Sequence, residues 1–163
     1  MTTLSDLTGL ANAAGTWTGT NGFRLMPFDE LAERPAGMEV QTGARGNLAS
    51  VAYRWEHPDD GPQEGLLVVG LSGDEGQLTA LWSDSWHQQP TSMSLTGAVT
   101  PGGSIALEGS YGEGWAWRIT VEAPRDGQLH LRMDNVIPES QATDEIHAGA
   151  YPVMIMDLQR PGS

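Results

Sequence analysis

Residues 77–87 read Gln77-Leu78-Thr79-Ala80-Leu81-Trp82-Ser83-Asp84-Ser85-Trp86-His87. In an extended chain, successive side chains alternate between two faces. One face then carries Leu78, Ala80, Trp82, Asp84 and Trp86, and the other carries Gln77, Thr79, Leu81, Ser83, Ser85 and His87. The first face is apolar except for a single carboxylate set between two indoles. An ionised group removed from water needs hydrogen-bond partners or a shifted pKa, so Asp84 is read either as a ligand-facing group or as an internal anchor.

The same period of two runs outward in both directions. Gly15 to Leu25 sets Trp17, Gly19, Asn21, Phe23 and Leu25 against Thr16, Thr18, Thr20 and Arg24. Met26 to Gly37, with prolines towards both ends, reads as a loop with at most one helical turn. Met38 to Ala44 and Asn47 to His57 form a hairpin about Arg45-Gly46, with Ala49, Val51, Tyr53 and Trp55 on the apolar face. Gln63 to Ser72 is apolar on both sides, which predicts that its outer face is covered. Gln88-Gln89-Pro90 reads as a break after the central stretch. Alternating segments follow at Thr91 to Val99, Ser104 to Tyr111, Trp115 to Ala123, Gln128 to Ile137 and Ala150 to Gln159. Turn chemistry separates them at Pro58 to Pro62, Gly73 to Gly76 and Pro101 to Gly103. Before all of these, Leu4, Leu7, Leu10 and Ala11 or Ala14 have helical spacing, with Ser5 or Asp6 as a cap and Gly15 as the stop.

About ten short strands and no crossover helix predict an all-β, antiparallel up-and-down barrel behind a short N-terminal helix. Closure removes the exposed edges that a long meander would otherwise carry. One domain over residues 1–163 is expected, with 1–14 as a helical lid and 15–160 as the barrel.

The chain has 163 residues and no cysteine, which excludes disulfides, thiol nucleophiles and cysteine-held metals. It has no lysine, which excludes Schiff-base chemistry and a phosphate-loop lysine. A formal charge of −13 repels nucleic acid and anionic membranes. Residues 1–15 lack the basic and apolar regions of a secretory signal, so a cytoplasmic protein is expected. The expected partner is a small hydrophobic molecule, with no nucleic acid, no membrane and no cofactor, and the chain is read as a monomer or homodimer.

Several motifs carry a resemblance: Gly15-Thr16-Trp17-Thr18-Gly19, Tyr53-Arg54-Trp55, Gln63-Glu64-Gly65-Leu66-Leu67, Trp82-Ser83-Asp84-Ser85-Trp86-His87, Trp115-Ala116-Trp117-Arg118-Ile119 and Asn135-Val136-Ile137-Pro138. Together they resemble bacterial lipocalin-like (calycin) barrels of the uncharacterised family called domain of unknown function 1579, over about Gly15 to Gln159. The resemblance implies the barrel, and it brings no agreed activity or catalytic residues. Fatty-acid-binding barrels hold a ligand carboxylate with internal arginines, whereas Arg54, Arg118 and Arg132 here fall in the polar register. Nitrobindin-like haem barrels use a histidine near the last strands, which makes His147 a candidate haem ligand by resemblance alone.

The inward register collects Trp17, Asn21, Tyr53, Trp55, Trp82, Asp84, Trp86, Tyr111, Trp117 and Asn135. An aromatic wall with a few polar groups describes a small-molecule pocket; packed indoles with mutually bonded polar groups would give a filled core instead. Three readings follow: binding of a small, mostly apolar, uncharged or weakly basic molecule inside the barrel cavity against these tryptophans, oriented by Asp84, Asn21, Tyr53 and Asn135; cofactor-free acid–base, isomerase or cyclase chemistry in the same cavity with Asp84 as base and Tyr53 or Tyr111 as proton donor; and haem binding. A Ser85-Asp84-His87 triad fails on parity, since strand alternation points Asp84 away from the other two. His57, His87, His130 and His147 are scattered singly, so no metal site is expected.

Overall fold

The computed structural model describes residues 6–73 and 75–162. It comprises one helical turn, α1 (Thr8–Ala11), and ten strands: β1 (Gly15–Phe23), β2 (Ala32–Gly43), β3 (Leu48–His57), β4 (Gly61–Leu71), β5 (Gln77–Asp84), β6 (Gln88–Val99), β7 (Ile105–Gly112), β8 (Trp115–Val121), β9 (Gln128–Ile137) and β10 (Gly149–Gln159). Each strand pairs antiparallel with its sequence neighbour, and β1 pairs with β10 to close the barrel. The alternation read from the sequence is the reason: Val51, Tyr53 and Trp55 on β3, Leu67 and Val69 on β4, and Leu78, Ala80 and Trp82 on β5 are all buried, with mostly exposed residues between them.

Four expectations are corrected. The segment read as a loop from Met26 to Gly37 becomes strand at Ala32. Glu33 to Ala36 pair with β1, whereas the ladder to β3 starts only at Gly37, so Pro35 stands where one side of the strand has no partner and its missing N–H costs nothing. Gln88-Gln89-Pro90 is the start of β6 and not a break. The outer face of β4 is open, with Leu66 48% and Leu71 41% exposed. The helix is a single turn; Leu4 and the candidate cap Ser5 lie outside the described residues, while Asp6 Oδ1 accepts the Thr8 N–H at 2.9 Å.

The two ends of the barrel differ. At one end Leu7, Leu10 and Ala13 are buried in the core, and the Trp17 indole N–H donates to Ala13 O at 2.7 Å. Gly9 packs so closely on the β6–β7 turn that a Cβ there would stand 2.2 Å from Gly103 O. The other end carries the β1–β2, β3–β4, β5–β6, β7–β8 and β9–β10 connections and is the mouth. No described helix is long and apolar enough to cross a membrane.

Glycine to alanine within a helix normally gains about 0.5–1 kcal/mol. Gly9→Ala is nevertheless expected to destabilise the protein, by about 1–3 kcal/mol, because the methyl would push α1 off the closed end. Urea unfolding checks this, and a gain in stability would overturn the packing described.

Candidate functional site

The residues of the site rise from one row of the barrel. Tyr53 on β3 pairs with Gly65 on β4, and Gly65 pairs with Asp84 on β5. The Tyr53 ring lies across Gly65, where a Cβ would stand 2.1 Å from Tyr53 Cζ. Only an absent side chain lets the phenol cross that strand. Its O–H donates to Asp84 Oδ2 at 2.6 Å, and the Trp55 indole N–H donates to the same oxygen at 3.1 Å. The Trp82 indole N–H donates in turn to the Tyr53 hydroxyl at 2.9 Å. Asp84 Oδ1 accepts the backbone N–H groups of Trp86 at 2.8 Å and His87 at 2.9 Å. Each carboxylate oxygen thus holds two donors, which is how a charge 1% exposed is accommodated. Burial and the adjacent Asp84 push the Tyr53 phenol well above its ordinary pKa, so it stays a neutral donor.

The bonds to Oδ1 also fold the β5–β6 connection inward. Strand parity ends at Asp84, and the turn delivers the His87 ring to the inside of the mouth, contrary to the alternation that placed it outside. The imidazole stacks on Trp55 with centroids 5.1 Å apart and planes at 19°, and lies 5.1 Å from Trp117 and 5.8 Å from Phe23. Its Nε2 is 3.0 Å from Met154 Sδ. Burial lowers its pKa to about 4; His57 adds to the lowering and Asp84 opposes it. His87 is therefore neutral at pH 7.

Trp86 stands beside it at the rim, stacked on His57 at 4.6 Å and edge-on to Phe23 at 5.3 Å, with its indole N–H donated to Asp60 Oδ2 at 2.8 Å. His57 Nδ1 accepts the backbone N–H groups of Asp59 and Asp60, each at 3.0 Å, which places the imidazole proton on Nε2. Phe23, His57 and Trp86 line a cleft of about 400 Å³ at the mouth, where Ala32 of β2 and His57 of β3 lie beyond the end of their ladder. Asp29, Glu30 and Asp59 line the same cleft; the one arginine there, Arg24, gives its N–H groups to Pro152 O at 2.7 Å and Pro27 O at 3.0 Å.

The structure distributes the sequence-derived candidates over several places. Tyr53, Trp55, Trp82 and Asp84 form the hub, and Trp86 and Trp117 surround His87. Trp17 belongs to the closed end, with the Arg160 guanidinium 4.3 Å above its ring. Tyr111, 47% exposed, donates to Asn135 Oδ1, Asn135 donates to the Tyr151 hydroxyl at 3.2 Å, and Tyr151 donates to Leu25 O at 2.8 Å. Asn21 is buried with neither amide atom partnered among the described residues. His147 is exposed in the β9–β10 connection. No cluster of three His, Asp or Glu side chains able to hold a metal occurs among the described residues. Sequence reasoning left Phe23, His57 and His87 out of the site. His57 was within reach, because it continues the inward series Tyr53, Trp55 by one more step; His87 was not, because a turn precedes it.

No family model matches the chain, and no curated protein sequence matches it. Solved structures do. The crystal structure of Rv2717c from M. tuberculosis superposes with a TM-score of 0.59 at 13% identity, covering 94% of this chain and 96% of that one. The S-type phycobiliprotein lyase CPES from Guillardia theta gives a TM-score of 0.59 at 13% identity, covering 94% and 91%. At such identities the likeness establishes the fold, a closed ten-stranded barrel of the lipocalin-like type.

Two predictions follow from the hub and its turn. Gly65→Ala should break the Tyr53–Asp84 bond and cost about 2–4 kcal/mol in urea unfolding; a loss under about 0.5 kcal/mol would show that Tyr53 crosses elsewhere. Burial lowers the His87 imidazole to about 4 in the folded protein, below its ordinary 6.5. Between those values the unfolded chain binds the extra proton, so stability falls as the pH drops through this window. His87→Gln should flatten that fall between about pH 6.5 and about pH 4.5, measured by urea unfolding at several pH values; an unaltered slope would place His87 in solvent.

Proposed function

We propose that this protein, within the lipocalin-like (calycin) barrels that domain of unknown function 1579 exemplifies, binds a small, mostly apolar, uncharged or weakly basic molecule at the mouth of the barrel. The observation that carries this is the cleft of about 400 Å³ walled by Phe23, His57 and Trp86. Its size falls within the range of small-molecule sites, and its aromatic wall with a few polar groups is their usual composition. Three carboxylates face one arginine already bonded to backbone carbonyls, so the site disfavours an acidic ligand and tolerates a basic one. Leu25 and Phe28, 57% and 64% exposed, stand on the β1–β2 connection and offer further apolar surface there. The phycobiliprotein lyase among the structural neighbours supports a ligand-handling role for the fold.

Acid–base chemistry by Asp84 has weaker support. Its four donors occupy both oxygens, leaving no free acceptor for a substrate proton; the geometry favours a positioning role for Asp84.

The test uses Nile red, a neutral apolar dye. It should bind saturably and quench tryptophan fluorescence, and Leu25→Glu, at an exposed position lining the cleft, should weaken binding about tenfold without unfolding the barrel. Trp86→Ala should weaken it at least as much. Binding unaffected by both substitutions would overturn the assignment.

A further inference from the structure

A second cleft, independent of the one proposed above, opens on the other side of His87. Strands β6 and β7 are laddered only from Thr96–Glu108 to Val99–Ile105. Beyond that point β6 continues upward to Gln88 and β7 to Gly112 with no ladder between them, so the barrel wall has a seam. Gly109 marks where the strands still touch: a Cβ there would stand 2.9 Å from Ser94 O. Above it lies a cleft of about 120 Å³ lined by Trp82, His87, Gln88, Met93, Tyr111 and Trp117.

Two of these residues bring unmet hydrogen-bonding capacity. The Trp117 indole N–H is buried without a partner among the described residues, a state that ordinarily costs more than a net hydrogen bond returns. The neutral imidazole of His87 has one N–H donor and one bare nitrogen. Its Nε2 sits 3.0 Å from the Met154 thioether, which can only accept, so the proton is on Nε2 and Nδ1 is the bare nitrogen. No described residue gives Nδ1 a hydrogen bond. The Trp117 and His87 rings are 5.1 Å apart. The neighbouring donors are engaged elsewhere: the Tyr111 O–H goes to Asn135, the Gln88 amide N–H donates to Thr91 O at 2.8 Å, and the Trp82 N–H goes to Tyr53.

We propose that this seam is a binding site for a small neutral heteroaromatic ring of the azole type, one ring N–H donating to His87 Nδ1 and one ring nitrogen accepting from Trp117 Nε1–H. The volume sets the size class: an apolar cavity of about 150 Å³ accommodates benzene, so the cleft suits a five-membered ring. Trp82, stacked on Trp117 at 5.4 Å and 13°, and Met93 supply the apolar walls. The donor and acceptor select against hydrocarbons of the same shape, which would leave both protein groups unpaired.

The probe is pyrazole, followed through the Trp117 indole N–H resonance in a ¹⁵N-labelled sample and assigned with Trp117→Phe. Pyrazole should shift that resonance saturably, with a millimolar or tighter dissociation constant for so few atoms. 1-Methylpyrazole, which cannot donate, should bind about tenfold more weakly. His87→Phe keeps a ring between Trp55 and Trp117 but removes the accepting nitrogen, and should abolish the preference for pyrazole over its methyl derivative. Met93→Trp, which fills the seam, should block both ligands. A Trp117 resonance indifferent to saturating pyrazole would mean the cleft holds water only, and a preference that survives His87→Phe would place the ring elsewhere; either result overturns the proposal. Nile red binding at the mouth responds to Leu25→Glu and not to Met93→Trp, so failure at one cleft is separable from failure at the other.

Discussion

The phenol of Tyr53, reaching over Gly65 to the carboxylate of Asp84, ties three adjacent strands in one row of the barrel. A buried carboxylate is costly unless its lone pairs are filled. Here two oxygens collect a phenol, an indole and two backbone N–H groups, and the charge becomes an organising element. One oxygen holds the side chains of β3 while the other bends the chain after β5. A missing side chain at position 65 and an acid at position 84 are thus parts of one device, and neither makes sense without the other.

What that device controls is the mouth. Because Oδ1 caps the β5–β6 connection, Trp86 and His87 fold toward the barrel axis instead of out into solvent, and the aromatic rings of Phe23, Trp55 and Trp117 close around the imidazole. The opposite end has no such opening, since α1 is packed against it through Leu7, Leu10 and Ala13. The clefts at the mouth and at the β6–β7 seam both lie away from the end that α1 covers.

Both clefts at that end share an origin in backbone pairing. Between β2 and β3, and again between β6 and β7, the ladder stops before the strands do. Unpaired strand ends are normally a liability; here they border surfaces with opposite chemistry. The first carries carboxylates around an aromatic wall, and the second is lined by Trp82, His87, Gln88, Met93, Tyr111 and Trp117 with no carboxylate or arginine.

Much of the barrel was legible in the sequence, because a period of two in hydrophobicity reports directly which side of a pleated sheet faces the core. Strand number, the antiparallel meander and the burial of Trp17, Tyr53, Trp55, Trp82 and Asp84 follow from that local rule, and the short leading helix from the separate helical spacing of its apolar residues. Its failures share a cause. Pro35 argued against a strand, and only the one-sided pairing of β2 above Gly37 makes the proline harmless; Leu66 and Leu71 argued for a covering element, and only the finished topology leaves them in solvent. By itself the sequence determined which residues point inward along most of the strands, since alternation is a property of the extended backbone; Tyr111, read as inward, is 47% exposed where the β7 register shifts. Tertiary structure alone decided that His87 enters the mouth, that Tyr53 crosses Gly65 and that the ladders open into clefts, because turns cancel parity and cross-strand register depends on partners distant in the chain.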